Sequence, residues 1–205
     1  MALSRVGISK EIEDFDERSK EASICRRWFN QVRDELLRYA LWSFATQAQP
    51  LALSEATFPG WRFVYQYPQD CIEARIVTDD SGARFALSSM FVNQFWTMED
   101  FSQIDRKVPF RLAYGAEQTL LLTDLEFAWL IYTIKSESPA VWPSDFISAL
   151  AWRLGFEVGL PLQAELRLID NAGRQSEISW GKAAAANLNE EKPDPEQESP
   201  SVQVR

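Results

Sequence analysis

At 205 residues, 46% of them hydrophobic, the chain is long enough for one domain, or one domain with an insertion, and too apolar to be disordered throughout. Thirty acidic residues against 21 basic ones leave a formal charge of −9, which argues against a surface that grips a nucleic-acid backbone but lets a polyanion pass without adhering. There is no histidine, which removes Ser-His-Asp and Cys-His nucleophilic systems, His-ligated metals and a His general base.

In chain order, Leu3 and Val6 read as the last turn of a helix ended by Gly7. Residues 15–45 read as one long amphipathic helix. Cys25, Trp28, Phe29, Val32, Leu36 and Tyr39 recur at steps of three and four, while Arg26, Arg27, Arg33, Asp34 and Arg38 fall mostly elsewhere. Asp14 and Glu17 stand at capping-box spacing before it, and Arg33-Asp34-Glu35 reads as a solvated polar rim away from the apolar stripe. From residue 47 the period changes to two. Trp61, Phe63, Tyr65 and Tyr67 alternate with Arg62, Val64 and Gln66 in a strand, followed by a strand at 72–77 and a hairpin loop at Asp79-Asp80-Ser81-Gly82. Further short strands are expected at 85–87, 110–114, 119–123 and 127–132. Residues 88–108 form a long connection carrying Phe91, Phe95, Trp96, Met98 and Phe101, suited either to a partner or to the underside of its own sheet.

Helix returns at Pro143 with Phe146, Ile147, Leu150, Leu154 and Val158 on one stripe, and Gly159-Leu160-Pro161 stops it. A second helical stretch is expected over 162–187, and the acidic, proline-rich 189–205 carries no core pattern. The order of elements predicts an α+β fold: a helical frame from 1–46 and 143–188, an inserted antiparallel β-sheet domain over 47–142, and an extended tail.

Candidate reaction chemistry is sparse. Cys25 and Cys71 are too few for a disulfide framework or a Cys-rich zinc site and are expected as free thiols. Gly155-Phe156-Glu157-Val158-Gly159 lacks the third glycine of a phosphate loop and falls inside a helix. Asp79-Asp80 and Asp14 with Asp16 read as a turn and a helix cap rather than cation sites. No catalytic residue, cofactor or metal is assigned. No apolar run reaches membrane-span length and no leader pattern is present, so the expectation is a soluble protein made in a cytoplasm. These features favour a structural role.

Four stretches, in this order and spacing, resemble one known family. They are Ala2-Leu3-Ser4-Arg5-Val6-Gly7-Ile8 with Glu17-Arg18-Ser19-Lys20-Glu21-Ala22 and Cys25; Val32-Arg33-Asp34-Glu35-Leu36-Leu37 with Trp42-Ser43-Phe44-Ala45; Trp61, Tyr65 and Tyr67-Pro68-Gln69-Asp70-Cys71-Ile72; and Leu130-Ile131-Tyr132 with Trp142-Pro143-Ser144-Asp145-Phe146 and Ala149-Leu150-Ala151. Across 1–192 the chain resembles the tail tubular protein A family, the head-to-tail adaptors of short-tailed bacteriophages. It departs from that pattern in three places. The first helix is short, Leu41 stands where the family has proline, and the 88–108 connection is longer.

The resemblance implies a virion structural protein, not an enzyme: a ring, expected twelve-fold, that joins the portal protein above to the tail nozzle (tail tubular protein B) below, beside the tail fibre. DNA would cross the ring's channel without sequence-specific binding. Portal contact is expected from Pro193, Pro195, Pro200, Val202, Val204 and Arg205, and a second partner contact from Phe91, Phe95, Trp96 and Phe101. The protein would sit in the virion neck and, during assembly, in the host cytoplasm. The alternative is a small tail-associated hydrolase working through two carboxylates about 5–10 Å apart, one of them with a raised pKa.

Overall fold

A computed structural model describes residues 1–83, 108–115 and 118–189. The fold is α+β: the described residues include helices α1 Ala2–Arg5, α2 Lys20–Tyr39, α3 Ser144–Gly159 and α4 Leu166–Asn189 and strands β1 Thr46–Pro50, β2 Phe63–Gln66, β3 Cys71–Thr78, β4 Phe110–Tyr114, β5 Thr119–Thr123 and β6 Trp129–Ile134. Two compact units divide the chain. One comprises Met1–Gln47, Pro68–Ala74 and Tyr132–Asn187; the other includes Ala48–Tyr67 and Arg75–Ile131. The chain passes between them within β1, β3 and β6.

In the helical unit, α2 is shorter at both ends than its periodicity predicts. It starts at Lys20 because Ser19, in an extended conformation, accepts the Ala22 amide on its hydroxyl. Asp14 and Glu17 form no capping box for it. Asp14 Oδ1 accepts the Asp16 amide, and the Glu17 amide returns to the Asp14 carbonyl, so 14–17 is a turn ahead of the helix. At the other end Ala40 is extended, and the Trp42 indole donates to the Leu36 carbonyl at 2.8 Å. That carbonyl is one of the last four, which have no partner within the helix, so the indole caps α2 and turns the chain without a proline at 41. Trp42-Ser43-Phe44 therefore lies beyond the last helical residue, and Ser43–Ala45 is a 3-10 turn.

The core of this unit gathers Leu3, Cys25, Leu36, Leu37, Trp42, Phe146, Leu150, Leu154, Val158 and Trp180, with Trp28, Phe29 and Phe44 packed against it. Tyr39, expected on the apolar face, is half-exposed and lies against Trp180 at 5.0 Å between ring centroids. Arg33, expected on a solvated rim, is buried. Helix α3 begins after Pro143, which caps it, and stops at Gly159, before Pro161. Gly155 and Gly159 let neighbouring segments close in on α3. A β-carbon on Gly155 would stand 3.0 Å from the Ala2 carbonyl oxygen, and one on Gly159 2.7 Å from Ile169. The α4 helix starts at Leu166 rather than 162, because Leu162 and Ala164 donate back to Val158 and Gly159 and Gln163 takes a left-handed conformation.

In the β unit, β2, β5 and β4 form an antiparallel sheet in that order, with Leu121 of β5 opposite Tyr65 on one side and Leu112 on the other. Leu120, Leu121 and Leu122 are all buried, as a central strand covered on both faces requires. The other three strands pair in the order β1-β6-β3. Strand β1 is absent from the expected list because Thr46-Gln47-Ala48-Gln49-Pro50 has no apolar alternation. Strand β6 starts two residues late because Phe127 sits in a left-handed turn. The Asp79–Gly82 hairpin loop is instead a capped helical turn at 80–83: Asp79 Oδ1 accepts the Gly82 amide and its carbonyl accepts Ala83. The strand expected at 85–87 and the 88–107 part of the long connection lie outside the described residues; Val108 bridges to Val77.

Candidate functional site

The helical unit holds a cleft at the start of α2. Helix α1 ends where Val6 and Ile8 both donate to the Leu3 carbonyl and Gly7 takes φ +75, so the chain doubles back. The returning segment is fastened along α2 by Lys10 Nζ to Glu21 Oε2 at 2.7 Å, by Arg26 to Asp16 at 3.0 Å, and by the Phe15 ring against Phe29 at 4.9 Å. Between segment and helices lies a cleft of about 620 Å³, lined by Leu3, Ile8, Ile12, Phe15, Phe29 and Leu154, with Cys25 also on its wall. Ser9, Lys10 and Glu11 form its polar margin.

Cys25 is a free thiol, and burial pushes its pKa up, which makes it a poor nucleophile near neutral pH. Glu21 moves the other way. The hydrogen bond from Lys10 holds its carboxyl below the usual range, opposite to the shift a general acid needs. Among the described residues no group of three or more His, Cys, Asp or Glu side chains is placed to hold a metal ion, and no helix is long and apolar enough to cross a membrane.

Two further polar arrangements lie in the same unit. Arg33 is paired with Asp34 and lies 3.9 Å from Glu137. The Tyr132 hydroxyl stands 3.3 Å from Asp70 Oδ1 and 3.4 Å from Gln47 Oε1; burial first, then the Asp70 charge, raise its pKa.

The partner residues expected from sequence, Pro193, Pro195, Pro200, Val202, Val204 and Arg205 in the tail and Phe91, Phe95, Trp96 and Phe101 in the long connection, all lie outside the described residues. The cleft was not anticipated. Ile8, Ile12 and Phe15 are spaced at four and three residues within an acidic stretch, and that faint apolar signal is the one trace of it in the sequence. Among the residues that carry the family resemblance, Leu3, Val6, Cys25, Val32, Leu36, Trp42, Tyr65, Tyr132, Trp142 and Phe146 are buried packing residues, whereas Ser4, Gly7, Glu17, Arg18, Glu35, Gln69 and Asp145 are exposed. Comparison with protein-family models and with curated proteins finds no match to this chain.

Proposed function

We propose that this chain is a ring-forming head-to-tail adaptor of a short-tailed bacteriophage, a structural protein seated between portal and tail nozzle. The observation that carries the proposal is the apolar surface left over after each unit has closed its core. In the helical unit Leu160 is 68% and Leu166 73% exposed, on either side of the turn that joins α3 to α4. In the β unit Tyr114 is 87% and Phe127 78% exposed. Exposed large apolar side chains suit a surface that a neighbour covers, and a head-to-tail contact of unlike patches closes into a ring when the rotation per subunit fits. The order and spacing of the resemblance motifs support the same reading. The net charge of −9 suits a channel through which DNA slides without sticking.

The test is assembly on portal rings. Purified chain mixed with portal should give an added ring of density beneath the portal in electron micrographs. Leu160→Glu with Leu166→Glu should leave a folded subunit that adds no ring. A native chain that stays monomeric and leaves portal rings unchanged rules the proposal out.

A further inference from the structure

Phe127 is 78% exposed at a backbone φ of +58, a left-handed conformation that an aromatic residue adopts only under constraint. The constraint is a set of hydrogen bonds. The Tyr65 hydroxyl donates to the Leu125 carbonyl at 2.9 Å and accepts the Ala128 amide at 3.4 Å, while the Ala128 carbonyl accepts the Leu51 amide at 2.8 Å. On the β5 side, Asp124 Oδ1 accepts the Arg62 amide at 3.0 Å. Both ends of the turn are thus fastened within the β unit, and the aromatic ring between them is left in water. Asp124 and Glu126 beside it are exposed carboxylates, and residues 124–128 contain no cation. A costly backbone conformation that keeps a large apolar ring in water adds little to the subunit's own core, so its use lies in a contact.

The cleft at the start of α2 has the complementary features. Its walls are apolar, and its volume of about 620 Å³ admits an aromatic side chain. Its margin carries the Met1 ammonium and Lys10 against one carboxylate, Glu11. Lys10 gives Glu21 one of its three N–H donors, which leaves it able to take a second carboxylate. We infer that the Phe127 turn of one copy docks in this cleft of the next, with Phe127 among Ile8, Ile12 and Phe15 and Glu126 against Lys10. The two surfaces are unlike, so the contact is head-to-tail, and a dimer made this way still offers one knob and one cleft to further copies. The inference names mating surfaces for the ring proposed above and rests on that reading for its occupant, a second copy.

Photo-cross-linking in the full chain tests it. Light chain carrying benzoylphenylalanine in place of Phe127 is mixed with native chain labelled with heavy isotopes, once concentrated alone and once on portal rings. Irradiation should join the light peptide containing position 127 to heavy peptide 11–18, which holds Ile12 and Phe15, as read by mass spectrometry. Ser9→Trp in the heavy chain, at an exposed position on the cleft margin, should cut the yield about tenfold, as exclusion of an aromatic anchor does. Phe127→Gly relieves the left-handed strain, so that variant should melt no lower than the native chain, yet compete for the cross-link about tenfold more weakly than unlabelled native chain. Cross-links confined to light peptides at every mixing ratio, directed to another surface of the heavy chain, or indifferent to Ser9→Trp would overturn the inference. So would the absence of a cross-link in both samples. A portal-bound ring without the link would remove the docking and leave the adaptor reading standing, whereas the link in concentrated chain with no ring on portal would do the reverse.

Discussion

Arg33 lies 3% exposed within α2 with the carboxylate of its chain neighbour Asp34 folded onto it: Nε donates to Oδ1 at 2.8 Å, and Nη2 stands 2.8 Å from the same oxygen. Glu137 is 3.9 Å from the other side of the guanidinium and is mostly solvent-exposed. Removing Asp34 strands a buried cation, whereas removing Glu137 leaves the close pair intact. Asp34→Ala should therefore destabilise the fold by about 2–3 kcal/mol, and Glu137→Ala by less than about 1 kcal/mol. Arg33→Met, which removes the charge while keeping an apolar stem, should cost less than Asp34→Ala. Urea unfolding of the three variants gives the order, and equal losses at Asp34 and Glu137 would contradict it.

Phe146 is the hub of the aromatic core, edge-on to Trp42 at 5.1 Å and to Phe44 at 5.0 Å and packed on Trp142 at 5.4 Å. Phe146→Ala should cost about 3–5 kcal/mol, and Phe146→Leu clearly less. Thermal unfolding followed by near-ultraviolet circular dichroism, which reads the immobilised indoles, checks both the loss and its site.

That hub explains what was legible in the sequence. Phe146, Leu150, Leu154 and Val158 recur at helical spacing because burial on one face imposes a period, and β5, covered on both faces, stands out as a short apolar run instead. The ends of α2 were not legible, because both are fixed by single hydrogen bonds. Ser19 wins the N-terminus from Asp14 through its own conformation, and Trp42 reaches back six residues to a carbonyl. The burial of Arg33 was illegible for a similar reason. Its partner Glu137 lies more than a hundred residues away, and a charged side chain on a helix reads as solvated until its neighbours are known. The cleft rests on Ile8, Ile12 and Phe15 in a segment with no regular structure, so no period announces it.

Asn187 holds the end of α4 with three hydrogen bonds: Oδ1 accepts from the Ser43 amide at 2.9 Å and hydroxyl at 3.0 Å, and Nδ2 donates to Leu41 O at 2.9 Å. Asn187→Ala leaves the Ser43 amide and the Leu41 carbonyl without these partners, at a cost of about 1–3 kcal/mol. Hydrogen exchange should localise the effect. The Ser43 amide and the last turn of α4 should lose protection first, while amides in the middle of α3 change by no more than the global loss. Uniform loss across both helices would mean that Asn187 does not act as a local clasp.

Tyr132 is fully buried, with its hydroxyl beside Asp70 and Gln47. Burial, then the negative charge of Asp70, raise its pKa above the ordinary value of about 10. The folded protein thus holds the phenolic proton more tightly than the unfolded chain. This contribution to stability is complete below about pH 10, the unfolded value, and is lost as the pH rises from there toward the folded value, at up to about 1.4 kcal/mol per pH unit. Tyr132→Phe cannot ionise. Its deficit relative to the native chain at neutral pH, about 1 kcal/mol for the lost hydrogen bond, should shrink and then reverse above pH 10. Denaturant unfolding of both proteins across the alkaline range measures that difference directly. A difference that stays constant with pH would mean that the Tyr132 proton is held no more tightly in the fold than outside it.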